Sequence, residues 1–337
     1  MRRSPAVKMK EIALHPRLSK GRQHILACLV ALGLAACSAP ADLAGMASTA
    51  GRTTQRFDQF QAAADNGRML VVVGGNGIVV ASADRGAHWA RQEIGGDAAL
   101  VGIAACPDGS FAALDFFHRL WLADASAGGW QARELKDPIN PLAIACDSAN
   151  RLWVAGSGAT IAMSADRGAT WKPTVLGDDL LLTGIQFVDG QHAYITGEFG
   201  AVFRSTDGGA TWIARTRIGA DFYPYAACFT DAERGWVSGL AGVVMHTADG
   251  GQTWQKQANP LGAPIYGLAV DQGQAIGVGV NGLLFRLKDG HWTFSGARPA
   301  SYLRAVLPLP DGRVLLAGGN GALEVANLAS GVAAAAN

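Results

Sequence analysis

The chain has 337 residues, 49% hydrophobic and 16% charged, with a formal charge of +1. Such a composition supplies a sizeable core and excludes a disordered chain, and its near-neutral balance lacks the basic footprint of a nucleic-acid binder. The 44 glycines are spread along the whole length, which suits a fold made of many tight turns.

The first segment in chain order reads as a targeting element. Basic residues between Arg2 and Arg22 precede the apolar run Ile25–Ala36. A bilayer span takes about 20 apolar residues, so this shorter run fits the core of a signal peptide. It ends in Leu34, Ala35, Ala36 and Cys37, which resembles the bacterial lipobox. The resemblance implies a signal peptide over 1–36, a lipidated Cys37 at the mature N-terminus and a flexible linker over 37–49. Ser38 follows the cysteine; in Gram-negative lipoproteins that resembles the pattern released to the outer membrane, so its periplasmic side is the expected location. The other reading is an ordinary secretory signal with an incidental cysteine. Cys106, Cys146 and Cys228 remain, an odd number in apolar surroundings. They are expected to be buried inert thiols, and no pair is spaced for a metal.

From about residue 50 the chain repeats. Ser205, Asp207, Gly209 and Trp212 form a box that recurs as Ser82, Asp84, Gly86 and Trp89; as Ser164, Asp166, Gly168 and Trp171; and as Thr247, Asp249, Gly251 and Trp254. Degenerate copies stand at Asp124 and Asp289. The six aspartates follow one another at steps of 40, 42, 41, 42 and 40 residues. Upstream of each box lies an apolar strand, a glycine-rich turn and a second apolar strand, with a shorter apolar stretch before them. Each repeat thus offers three strands, and the residues after the tryptophan offer a fourth. A further unit, Val314–Ala326, lacks the box.

Four short strands per repeat, seven times over, predict an all-β, seven-bladed β-propeller across 50–330, followed by a disordered tail over 331–337. Residues 50–57 are expected to supply the missing outer strand of the last blade and close the ring. The box aspartate is expected to accept turn N–H groups, the glycine to take positive φ, and the tryptophan to pack on the blade. A feature made this often is a fold staple rather than a set of catalytic centres. The histidines are scattered, and neither a metal site nor a cofactor site is expected.

The Ser/Thr-x-Asp-x-Gly-x-x-Trp box at this spacing resembles the Asp box, or BNR repeat. The fuller pattern over Gly197–Trp212 and Gly239–Trp254 resembles the photosystem II stability/assembly factor family. That resemblance covers about residues 57–326. It implies an exported, non-enzymatic seven-bladed propeller, in cyanobacteria often a lipoprotein, that binds nascent membrane subunits. The strips of surface arginine expected for a photosystem partner are not evident here.

Recognition is expected on the face opposite the boxes, at the central funnel. Two loops there are rich in aromatic and charged residues, Gly219–Tyr225 and Gly296–Arg304. Asp221, Phe222, Tyr223, Tyr225, Arg298, Tyr302 and Arg304 are therefore the candidates for binding a protein partner, since Tyr and Arg dominate interface hot spots. Glu198 and Phe199 join them, because sister turns carry small residues at those places. The alternative is a glycan-binding or sialidase-like Asp-box propeller. It would need an arginine triad around a Tyr–Glu pair, and no spacing in the sequence supplies one.

Overall fold

A computed structural model describes residues 52–138, 140–295 and 301–328. Cys37, Arg298, the signal and linker segments and the C-terminal tail lie outside them.

The described residues form seven antiparallel sheets, each with its strands in chain order. The fold is a seven-bladed β-propeller. Six sheets have four strands, and among the described residues the seventh has three. The innermost strands are Phe60–Asp65, Leu100–Ala105, Pro141–Cys146, Leu182–Phe187, Pro224–Phe229, Ile265–Asp271 and Leu303–Pro308. The second strands of the blades carry the core. Leu70–Gly74, Phe111–Asp115, Leu152–Gly156, Ala193–Gly197 and Gly235–Gly239 are buried throughout. These apolar runs do not alternate, because both faces of a mid-blade strand press against neighbouring blades.

Burial continues around the ring, each blade packing on the next. Val73 and Val79 of blade 1 cluster with Leu100 and Phe111 of blade 2. Trp153 of blade 3 meets Ile195 and Phe203 of blade 4. Closure is made by apolar packing, with Phe60, Leu70 and Val72 of blade 1 against Leu315 and Ala317 of blade 7.

Two expectations are corrected here. Residues 52–57 form bends and a turn, not a closing strand. Asp58 explains why: its carboxylate is buried, accepts the N–H of Gln55 at 2.7 Å and pairs with Arg91 at 2.7 Å. The approach to blade 1 is therefore folded into a capped turn. It still touches the last blade, where Gly321 N–H donates to the Asp58 carbonyl at 2.9 Å.

The second correction concerns the cysteines. Cys106 and Cys146 form a disulfide, with Cα atoms 5.2 Å apart. They lie at the ends of adjacent innermost strands, which belong to separate sheets, Cys146 as the last residue of its strand and Cys106 just past the end of its own. Cys228 is a free, buried thiol, and burial pushes its pKa up to about 12.

Box face and funnel mouth

The boxes are closed hydrogen-bonded turns. In the copy at Asp207, the Ser205 hydroxyl donates to Oδ1 at 2.8 Å and accepts the Gly209 N–H at 2.8 Å. Thr211 donates its N–H to Oδ1 at 2.9 Å and its hydroxyl to Oδ2 at 2.6 Å. The copies at Asp166 and Asp249 repeat this pattern, and His88 takes the threonine's place beside Asp84. With Thr211 as the largest cause, these donors hold the Asp207 carboxyl down at about 2, although it is exposed to solvent. The tryptophans are half-buried. Trp212 meets Trp153 and Phe187 edge-on, at 6.2 and 6.4 Å between ring centres.

The weakened copies divide. Asp124 still caps its turn, taking Ser126 and Gly128 N–H groups at 2.8 and 3.1 Å. Asp289 and Gly290 instead form a two-residue hairpin turn, with φ of 50° and 78°.

The opposite face carries a different local device. Every innermost strand has a bulge after its first residue. In blade 7, Leu303 pairs with Gly318 and Ala305 with Ala317, leaving Arg304 out of register. The skipped residues, in blade order, are Gln61, Val101, Leu142, Thr183, Tyr225, Tyr266 and Arg304. A bulge re-aims a side chain, and here it does so once per blade. Six of the seven line the central cavity of about 240 Å³, and Tyr225 stacks edge-on against Tyr266 with ring centres 5.3 Å apart.

Glycine at the end of the second strand makes this possible. A Cβ on Gly318 would stand 2.1 Å from the Tyr302 carbonyl, and one on Gly156 2.1 Å from the Asn140 carbonyl. The entering chain can therefore lie flat on the second strand only where no side chain intervenes. Blade 2 has Asp115 instead, and its carboxylate accepts the Ala99 N–H at 3.1 Å.

The sequence-selected residues separate on this face. Tyr302 stands at the mouth: its hydroxyl donates to Gln59 Oε1 at 2.9 Å and accepts from Gln61 Nε2 at 3.3 Å. Tyr266 lies between Tyr225 and Tyr302, 6.4 Å from the latter. Arg304 is exposed at the same mouth. Tyr223 is half-buried, and burial first, then the nearby Glu198 carboxylate, raises its phenol pKa. Asp221 is exposed, but Phe222 is not a surface residue. Only 9% exposed, its ring fills the space above Gly239, where a Cβ would come within 2.6 Å. Phe199 is half-exposed at a turn tip, with φ 56° and ψ 28°. Sister turns have Asn76, Ala241, Asn281 and Asn320 in that left-handed position. Gln61, Val101, Leu142 and Thr183 were not foreseen. The one sequence signal for them is the glycine that follows three bulge residues, at Gly102, Gly184 and Gly267. A sialidase-type cluster is not assembled: among the described residues Arg304 is the sole arginine in the cavity lining.

Fold and boxes together define a seven-bladed Asp-box propeller with a polar-aromatic funnel. The family described as Photosynthesis system II assembly factor YCF48 matches residues 175–301, from the end of blade 3 through blade 6. The photosystem II assembly lipoprotein Ycf48 of Synechococcus sp. (strain CC9902) is 33% identical over 92 residues, which are 26% of this chain and 27% of that relative. The chain thus spans about a quarter of the curated relative's length in that match. Among solved structures, YCF48 bound to D1 peptide superposes with a TM-score of 0.68 at 14% identity, over 82% of this chain and 95% of that one. YCF48 from Cyanidioschyzon merolae gives 0.66 at 14% identity, over 82% and 97%. A catalytically inactive virginiamycin B lyase from Staphylococcus aureus, with quinupristin, gives 0.70 at 11% identity, over 81% and 96%. At such identities the solved structures share the fold alone, and that fold serves enzymes as well as assembly factors. The sequence likeness to photosystem II assembly factors rests on residues 175–301 and on the 92-residue match.

Proposed function

We propose that this chain is an exported, lipid-anchored, non-enzymatic assembly or scaffold factor that holds a protein partner, a subunit of a membrane complex, on its funnel face. The carrying observation is the placement of exposed apolar side chains. Phe57, Phe116, Phe117, Phe199, Leu240 and Leu261 are exposed in turns and loops of the funnel face. Among the described residues the other two large exposed apolar side chains, Val175 and Ile213, sit on outermost strands. None stands in a box turn. Apolar tips around a polar-aromatic funnel are the anatomy of a protein-binding surface. The D1 peptide bound by a structural relative and the lipoprotein name of a sequence relative agree with this reading.

The test is cross-linking and co-purification from the native cell. A Phe117→Ser/Phe199→Ser variant should lose the recovered partner at an unchanged melting temperature, and His88→Ala on the box face should keep it. The reverse pattern would move the working surface to the boxes. Anchoring is tested separately: Cys37→Ser should shift the protein from the membrane pellet to the soluble fraction, and continued pelleting would refute the lipid anchor.

A further inference from the structure

The ring of bulge residues is chemically lopsided. Blades 2 and 3 contribute Val101 and Leu142, blades 5 and 6 contribute Tyr225 and Tyr266, and blade 7 contributes Arg304 between Tyr266 and Gln61. No ring residue is acidic. Eight other arginines each reach a carboxylate within 3.2 Å. Among the described residues Arg304 reaches none, although it stands on a strand at the mouth of a cavity.

An arginine set in a concave mouth beside an amide and phenol hydroxyls, with no internal counter-ion, is equipped for a planar anion. Its guanidinium forks onto a carboxylate through two parallel N–H donors. Tyr266 and Gln61 flank it with further donors. Beyond Gln61, two and three blades on from Arg304, Val101 and Leu142 offer apolar side chains only. The cavity behind the ring is narrow, about 240 Å³, and bordered by Ala62, Gly102, Ala143, Gly184 and Gly267. Such a space admits an extended backbone or a chain end and excludes a folded domain.

Resting on the reading that the funnel face is the binding face, we propose that Arg304 is the specificity residue of that face: it recognises a carboxylate carried by an extended peptide segment whose neighbouring apolar side chain lies on Val101 and Leu142. The carboxylate comes either from an internal Asp or Glu or from a free C-terminus.

The experiment uses the full-length chain and a library of fluorescein-labelled synthetic octapeptides, made with free and with amidated C-termini, read by fluorescence anisotropy. The strongest binders are remade with each carboxylate removed in turn, by Glu→Gln, Asp→Asn or amidation. Removing the recognised carboxylate should weaken binding by about tenfold to a hundredfold, the range for a charge-assisted hydrogen bond. The position that matters tells an internal acid from a chain terminus. In Arg304→Gln the same removal should change affinity less than twofold, while the melting temperature stays put because the side chain is exposed. Arg304→Lys should keep the preference for charge with a smaller difference between acid and amide. Binders indifferent to their carboxylates, an equal loss in Arg304→Gln, or no binder at millimolar peptide would each overturn the assignment. If Arg304→Gln still recovers the cross-linked partner fully while Phe117→Ser/Phe199→Ser does not, the face stands and the carboxylate assignment alone falls.

Discussion

Removing the Cys106–Cys146 bridge by a Cys106→Ala/Cys146→Ala double substitution should destabilise the propeller by a calculable amount. The bond closes a loop of 40 residues, and the chain-entropy relation for a loop of that size gives about 4 kcal/mol, acting through the unfolded state. The folded state should change little, because alanine keeps both positions apolar beside Leu120, Leu152 and Ile144. Urea unfolding of oxidised wild type, reduced wild type and the double variant measures the effect. The last two should agree within about 1 kcal/mol, and both should unfold with a steeper denaturant dependence, since the uncrosslinked chain exposes more surface. A loss below about 1 kcal/mol would refute the entropic account. Reaction of Cys106 and Cys146 with a thiol reagent in unreduced, urea-denatured protein would refute the bond itself, because of these three cysteines only Cys228 should label. A bond of this kind persists in an oxidising compartment, which agrees with export.

Further outcomes follow from the turns. The carboxyl groups of Asp166, Asp207 and Asp249 lie at about 2 in the folded chain against 3.8 ordinarily. Their contribution is therefore present above about pH 4 and lost as the pH falls through about 2; melting temperatures measured from pH 5 to 2 should fall over that window, and less steeply in Asp207→Asn. Trp212→Ala should cost about 3 kcal/mol in urea unfolding, the low end for a large aromatic because the ring is half-buried beside Trp153 and Phe187; partner loss with unchanged stability would make the box a binding site. Phe199→Gly should raise stability by about 1 kcal/mol by relieving the left-handed backbone, while partner recovery falls; a stability loss would mean that the ring is packed rather than presented.

The blades were legible because each repeat carries its own punctuation. The spacing of the box aspartates, from Asp84 to Asp289, sets the repeat length, and the apolar runs before each box mark the strands that fill the core. The disulfide had a readable sign that spacing rules for metals and small disulfide frameworks overlook: Cys106 and Cys146 lie 40 residues apart, close to one repeat, so the ends of neighbouring innermost strands bring them side by side, one position out of register. The mouth was less legible. Tyr225, Tyr302 and Arg304 were found by their residue types, but Phe222 was misplaced because a loop containing Phe, Tyr and Pro can turn any of its rings inward, and Gly239 leaves the space that takes this one. The bulge ring escaped because register is a property of two paired strands, and no single stretch of sequence displays it.

Box and bulge divide the labour of the repeat. Each box satisfies its carboxylate inside its own turn, so it can be copied around the ring without regard to any neighbour. The bulge sits between constraints: the residue before it, from Phe60 in blade 1 to Leu303 in blade 7, is buried in every blade, and the glycine or aspartate opposite fixes the backbone. The bulged residue itself is released from the ladder and only half-buried or exposed. It can therefore be Gln, Val, Leu, Thr, Tyr or Arg without cost to the core, and these seven positions hold all six. A ring built this way keeps its shape while its mouth changes. What the mouth selects must then be read from the side chains set there, and among these seven bulge positions the one cation is Arg304.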